Sequence, residues 1–247
     1  MDFATVKLRD GTELRAPMRV PVSCGKGVGQ VGYQVFLQEK TSGIQLHMEA
    51  VNRATKLFFE DVETVLHPFG GLGMAAQCME VTLGRSLAHE FWERDAECCK
   101  ALRELYPKSE IARVTDSFEL ILAKAPQAIQ GYDVVYLDPT AMTAKKEHLW
   151  DVYKKLADVS TTYIWFVDSA ISKWWLHTKT YTEFFGEQVA GMDTYFKAYD
   201  TKLRTLGLQI IDLCREGTVV YGVVSALQAT PEYPLPIVDL RAGAAVI

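Results

Sequence analysis

The sequence predicts an α/β fold: a mostly parallel, seven-stranded sheet ending in an antiparallel hairpin, behind a short β-rich N-terminal extension. Three observations lead there. From residue 62 onward, short runs rich in β-branched and aromatic residues alternate with helix-length amphipathic segments, the pattern of βα units. Glycines cluster where the first of those strands gives way to its helix, in "TVLHPFGGLGMAAQ" (residues 64–77). The last two strand-like runs are separated only by Arg215, Glu216 and Gly217, a hairpin-length link that makes them antiparallel.

The elements follow in order. In residues 1–47, "ATVKLRDGTELRAP" carries an Asp-Gly turn between alternating runs, a hairpin signal, and "GYQVFLQEKTSGIQLHM" reads as a second hairpin. Residues 48–61 read as an amphipathic helix with Ala50, Ala54, Leu57 and Phe58 on one face. Then come "ETVLHPF" as strand and "GMAAQCMEVTL" as helix, "SLAHEFW" and "DAECCKALRELY" with Asp95 as the helix cap, and "EIARVTD" and "SFELILAKAP". "YDVVYLD" precedes the helix "KEHLWDVYKKLADV", and "TTYIWFVDS" is a fifth parallel strand. After an aromatic-rich stretch lie the helix "MDTYFKAYDTKLRTLG" and the two hairpin strands "LQIIDLC" and "TVVYGVVSAL". Three parts result: an extension at 1–47, the α/β domain at 48–228 and an extended, Pro-rich tail at 229–247.

Composition narrows the function. The chain has 247 residues, 49% of them hydrophobic and 23% charged, which suits a globular domain with a sizeable core. A formal net charge of -5 disfavours an unaided grip on nucleic acid, so that partner would need a local basic patch or a partner protein. Residues 1–20 lack the apolar core of a signal peptide and no run is long enough to cross a bilayer, so a cytoplasmic setting without a membrane partner is expected. The cysteines, Cys24, Cys78, Cys98, Cys99 and Cys214, are scattered and read as buried, reduced thiols. No His/Cys cluster has metal-ligand spacing. Nothing in the sequence fixes an oligomeric state.

The chemistry concentrates at the carboxyl ends of the parallel strands, where ligands of such sheets bind. Gly70, Gly71 and Gly73 let the chain turn sharply and approach a ligand closely, and the helix that follows offers free N–H groups. Glu93 ends the next strand about twenty residues past Gly73, where a carboxylate accepts hydrogen bonds from ribose hydroxyls. Asp116 ends the third strand and Asp138 the fourth.

The turn "FGGLG", the acidic "ERD" after strand two and "VVYLDPT" after strand four resemble a class I S-adenosylmethionine-dependent methyltransferase of Rossmann-like fold, with matching element order over residues 50–228. "LHPFGGLG" is most similar to the Asp-Pro-Phe-x-Gly-x-Gly turn of enzymes that methylate exocyclic amines of nucleic-acid bases, and "LDPT" to their Asp-Pro-Pro-aromatic motif. The resemblance implies S-adenosyl-L-methionine as cofactor. Phe69, Gly71 and Gly73 would line its methionine side, Glu93 would hold the ribose and Asp116 would meet the adenine. Asp138 and Pro139 would face the methyl acceptor and take the N–H groups of a poorly nucleophilic amine. His67 stands in place of the family's acidic residue, Thr140 in place of the second proline and Ala141 in place of the stacking aromatic. An inactive scaffold used for interaction, or a small-molecule or protein acceptor, therefore stays open beside base methylation.

Three other features have a functional and a structural reading. "CGKGVGQVG" contains Gly27, Gly29 and Gly32 in G-x-G-x-x-G order, but strand-like residues follow, so a loop is expected, with Lys26 able to fold over a ligand. "WFVDSAISKWWLHTKTY" offers Asp168, Ser169, Trp174, Trp175 and His177 as an acceptor pocket, with Trp174 or Trp175 as substitute stacking ring, against the commoner reading of a packed aromatic cluster. His67 reads as a hydrogen-bonded structural histidine rather than a base or ligand.

Overall fold

Each stretch read as a strand or helix from residue 62 onward takes that form, with ends displaced slightly. The computed structural model describes residues 3–8, 10–17, 41–115, 117–123, 129–138, 146–159, 162–168, 174–217, 219–227 and 236–242. It divides into two compact units, residues 1–120 with 246–247, and residues 121–245.

The first unit opens with an antiparallel hairpin, β1 (Phe3–Lys7) and β2 (Glu13–Pro17), turned at Gly11 with φ 89°. Helix α1 (Thr41–Phe58) starts at Thr41 rather than at Met48. The expected second hairpin is therefore corrected over residues 41–48; its part at 32–40 lies outside the described residues, as does the glycine motif at 24–32. The local reason is period: Met48, Val51 and Thr55 recur at helical spacing and are buried, while Leu57, expected on the apolar face, is 49% exposed.

Then follow β3 (Thr64–His67), α2 (Met74–Leu83), β4 (Ala88–Glu93), α3 (Ala96–Leu105), β5 (Glu110–Arg113) and α4 (Ser117–Ala123), the last crossing the division between units. The strands β3, β4 and β5 pair in parallel, Thr64 opposite Ala88 and Glu90 opposite Glu110. Asp95 caps α3 as expected, its Oδ1 accepting from the N–H groups of Glu97 (2.9 Å) and Cys98 (3.0 Å). The hairpin is tied to α1, where Asn52 Nδ2 donates to Asp10 Oδ2 at 2.7 Å, and to α2. Gln77 accepts the Arg15 N–H at 2.8 Å and donates to the Arg15 carbonyl at 2.8 Å, so its amide pairs with β2 as a backbone peptide would.

The second unit holds β6 (Val134–Leu137), α5 (Lys146–Asp158), β7 (Tyr163–Asp168), α6 (Trp174–Phe185), α7 (Met192–Arg204), β8 (Leu208–Glu216), β9 (Val219–Ala226) and β10 (Ile237–Asp239). Its strand order is β10-β8-β9-β7-β6. The pair β6–β7 is parallel, β7–β9 and β8–β9 are antiparallel, and so the expected closing hairpin is present. Two features depart from expectation. The aromatic-rich stretch after strand five includes a helix, α6. The tail adds β10, parallel to β8, which raises the expected seven α/β strands to eight among the described residues. Its signal, "PIVDL", is three paired residues long, and ion pairs hold it: Arg215–Asp239 at 3.0 Å and Arg241–Glu216 at 3.2 Å.

Candidate cofactor site

The turn from β3 to α2 is built from its glycines. The Gly70 N–H donates to the Trp92 carbonyl at 2.9 Å and the Gly73 N–H to the Gly70 carbonyl at 3.1 Å. Gly71 and Gly73 both lie in the left-handed region, at φ 52° and 69°, which a β-carbon disfavours. Their surroundings differ. A β-carbon on Gly71 would meet nothing within 4 Å, whereas one on Gly73 would come within 2.9 Å of Leu102 Cδ2 and of Tyr106 Cε2. Gly71 thus presents an open backbone face, and Gly73 is where the turn seats against α3. A side chain at Gly73 therefore disturbs the fold directly.

Glu93 joins two turns. Its Oε2 accepts the Gly71 N–H at 2.7 Å and its Oε1 accepts the Asp95 N–H at 2.8 Å. The side chain is half-buried at the carboxyl end of β4. A carboxylate has about four lone-pair sites, so these two bonds fix its orientation and leave further acceptor capacity on a half-buried side chain. The structure therefore unites Gly71, Gly73 and Glu93 in one site, with Phe69 half-buried in the same turn. Asp116 lies outside the described residues. Its neighbour Ser117 is buried and donates its hydroxyl hydrogen bond to the Pro68 carbonyl, which ties the start of α4 to the glycine turn.

In the second unit, Asp138 follows β6 and is partly exposed. Burial raises the Tyr221 phenol well above its ordinary range, and the nearby carboxylates Glu216 and Asp138 add to the effect. Pro139 and the residues Thr140 and Ala141 lie outside the described residues. Trp174 and Trp175 open α6, but their side chains are outside the described set, as is that of His177. Asp168 is not free for an acceptor: it is 1% exposed and its Oδ2 accepts the Tyr195 hydroxyl at 2.6 Å. Burial, reinforced by Asp168, holds the Tyr195 phenol far above its usual range.

A feature that sequence reasoning caught only by half lies behind the glycine turn. His67 is buried, as a structural histidine should be, and its Nε2 hydrogen-bonds with His89 Nδ1 at 3.0 Å. The His67 ring stacks on Phe91, with centroids 4.8 Å apart. Burial, and then the neighbouring His89, holds His67 well below the usual imidazole range, so it is neutral near pH 7. His89 escaped notice; its only signal is that the β3–β4 pairing places it one alternate position before Phe91, opposite Val65. The cysteines Cys78, Cys98, Cys99 and Cys214 are buried thiols that form no disulfide. Burial pushes the Cys78 thiol up to about 12, which leaves it unreactive.

No protein-family model matches the chain, and no curated protein matches it. Solved structures do. The S-adenosylmethionine-dependent methyltransferase SibL in its apo form aligns with TM-score 0.52 and 12% identity, over 80% of this chain and 60% of that one. The N,N-8-amino-8-demethyl-D-riboflavin dimethyltransferase RosA from Streptomyces davawensis aligns with TM-score 0.50 and 12% identity, over 79% and 59%. This chain has the class I methyltransferase fold. Human N-acetylserotonin methyltransferase, in complex with SAM, shares that fold at TM-score 0.50 and 11% identity, over 78% of this chain and 55% of its own. The chain spans under two thirds of the length of these methyltransferase-fold neighbours. At such identities the likeness carries the fold alone.

Proposed function

We propose that the chain transfers a methyl group from S-adenosyl-L-methionine. The observation that carries this reading is the Glu93 carboxylate, fixed by the Gly71 and Asp95 N–H groups beside an open backbone face at Gly71. In the methyltransferase fold that corner receives the cofactor, so Phe69, Gly71 and Gly73 take the methionine side, Glu93 the ribose and Asp116 the adenine. Asp138 and the Pro139 carbonyl serve the acceptor, and Trp174 or Trp175 supplies an aromatic face. Transfer from a sulfonium is an in-line displacement, so these residues act by orienting cofactor and acceptor and by taking an N–H of an amine. The expected module of residues 48–228 widens at both ends, since α1 starts at Thr41 and β10 pairs with β8, and its setting is cytoplasmic.

The acceptor we favour is an amine on a conjugated ring. The motif likeness of "LHPFGGLG" and "LDPT" supports a nucleic-acid base, reached through a partner protein because the chain is acidic. A small-molecule acceptor is the second reading. Its support is that RosA, by its name, dimethylates an amino-riboflavin and that another neighbour acts on N-acetylserotonin. Calorimetric titration with S-adenosylmethionine and its demethylated product tests the common core of both. Saturable one-to-one binding, weakened about tenfold or more in Glu93→Ala, is expected; no binding of either compound would leave the inactive scaffold.

A further inference from the structure

Behind the glycine turn, two buried histidines and the partly exposed Glu80 form a line at the apolar floor of the first unit. His67 on β3 contacts His89 on β4 at 3.0 Å, and His89 Nε2 faces Glu80 Oε1 on α2 at 3.6 Å. His67 and His89 are 2% and 5% exposed. Among the described residues His89 Nε2 has no hydrogen-bond partner, because 3.6 Å to Glu80 is an ion-pair distance rather than a bond. Glu80 Oε1 instead accepts the Leu87 N–H at 2.9 Å.

The line bears on the turn through its packing. Phe91 stacks on His67, and its Cβ would lie 3.2 Å from a β-carbon on Gly70. Tyr106 meets His89 edge-on at 5.4 Å, fills the space beside Gly73 and donates its hydroxyl to the Gly73 carbonyl at 3.3 Å. Phe91, Leu102, Tyr106 and Ala76 form one buried cluster. The turn therefore rests on the rings that the histidines support.

Each neutral ring carries one N–H: one serves the bond between the rings, and the other sits at His89 Nε2, toward Glu80, or at His67 Nδ1. A further proton brings a charge into this floor. The groups that face it are Glu80 from α2, Tyr106 from the end of α3 and, beside Tyr106, the Cys78 thiol of α2. Tyr106 and Cys78 stay neutral because burial raises both. Glu80, held below the usual carboxylate range by His89 and the Leu87 N–H against the effect of burial, is the single anion among them. It stands 3.6 Å away on the helix that the turn begins.

We propose that the His67–His89 pair is a proton-sensitive support of the glycine turn: the neutral pair holds the turn in its cofactor-binding form, and an added proton loosens it. A charge on His89 meets Glu80 already at ion-pair distance, and closing the 3.6 Å to a hydrogen bond draws α2 toward β4; a charge on His67 is met by letting water reach the rings. Either movement shifts the rings under Gly70 and Gly73. His67 and His89 are positioning residues in this account, since they act through Phe91 and Tyr106.

The cofactor consequence rests on the methyltransferase reading; the effect on the turn does not, and two measurements separate them. The first is amide hydrogen exchange of the ligand-free chain at pH 7.5 and 5.5, corrected for the intrinsic rate of each amide. Protection of residues 70–79 should fall about tenfold or more at the lower pH relative to that of β9, and His89→Gln should remove most of this difference. Because His89→Gln can leave a polar atom unpaired, the apolar double variant His67→Leu/His89→Phe is measured beside it. Equal protection of the turn at both pH values in the parent, or the same fall in a folded variant, overturns the proposal. The second is the dissociation constant of the demethylated cofactor product by calorimetry at the same pH values. A tenfold weakening at pH 5.5 in the parent and under threefold in the variants is expected. Tight binding that ignores pH overturns the proposal and leaves the methyltransferase reading standing. No binding at either pH, with the exchange result intact, overturns the cofactor reading and leaves the proton-sensitive turn.

Discussion

Glu93 shows how much one side chain can carry. It fastens the Gly71 turn and the start of the α3 cap with its two oxygens, so it serves the apo fold as well as a ligand. Replacing it should therefore do two things. Glu93→Ala loses charge-assisted hydrogen bonds worth about 1.5–3 kcal/mol, which is roughly tenfold or more in cofactor affinity, and also lowers the melting temperature. Glu93→Gln keeps one acceptor oxygen and should melt closer to the parent while still binding more weakly. The glycines separate in the same way. Gly71→Ala has room but an unfavourable φ, costs about 1–2 kcal/mol of backbone strain and should abolish most ligand-induced stabilisation. Gly73→Val runs into Leu102 and Tyr106 and should destabilise the unliganded chain by several kcal/mol, read by denaturant midpoint. A Gly73→Val chain as stable as the parent would contradict this packing. The glycine turn and Glu93 were legible in the sequence because their spacing is dictated by the sheet. The split between Gly71 and Gly73 was not, since it depends on where Leu102 and Tyr106 point.

At the scale of elements, helix and strand signals were read well wherever a single period runs for the full element, as in α3 and β9. They were misread at α1, where alternation of polar and apolar residues over 41–48 imitates a strand while the buried positions follow the helical period. They were missed at β10, whose three pairs depend on ion pairs with distant residues of β8. The acceptor side was the least legible, because its motif departs from the family at Thr140 and Ala141. Two experiments belong to this scale. Asp138→Ala, at the end of β6, should reduce methyl transfer by about 10²-fold or more while cofactor affinity changes less than about threefold. Joint loss of both would mark Asp138 as a fold residue. At the head of α6, Trp174→Ala and Trp175→Ala should each be assayed for acceptor binding and melting temperature. A stacking ring loses about 1–3 kcal/mol of acceptor affinity at unchanged stability; a core ring loses stability by about 3–5 kcal/mol instead.

For the whole molecule, pH is the variable that the buried histidine makes informative. The folded-state pKa of His67 lies well below the unfolded value of 6.5, because burial and then His89 disfavour its charge. Unfolded chains therefore take up the proton first. The stability that this neutral histidine contributes is complete above about pH 6.5 and is lost progressively as pH falls from there toward the folded-state value. Denaturant midpoints measured from pH 8 to 5 should decline in the lower half of that range, and the decline should be shallower in His67→Leu/His89→Phe. An identical pH profile in parent and variant would assign acid sensitivity to other groups. Among the described residues no helix is long and apolar enough to cross a membrane.

The clasp between Gln77 and Arg15 has a practical meaning for dissection. A single side-chain amide stands in for a strand neighbour, and Leu14 beside it is 1% exposed, so the hairpin binds its host helix much as a small, sequence-specific peptide ligand would. That makes the molecule divisible at this point. A synthetic peptide of residues 1–17, mixed with a chain that begins after them, has the Gln77 amide of α2 and Asn52 of α1 to return to. Reassembly from two pieces, followed by the recovery of thermal stability, would turn the position of α2 into a signal that can be switched on by adding a peptide.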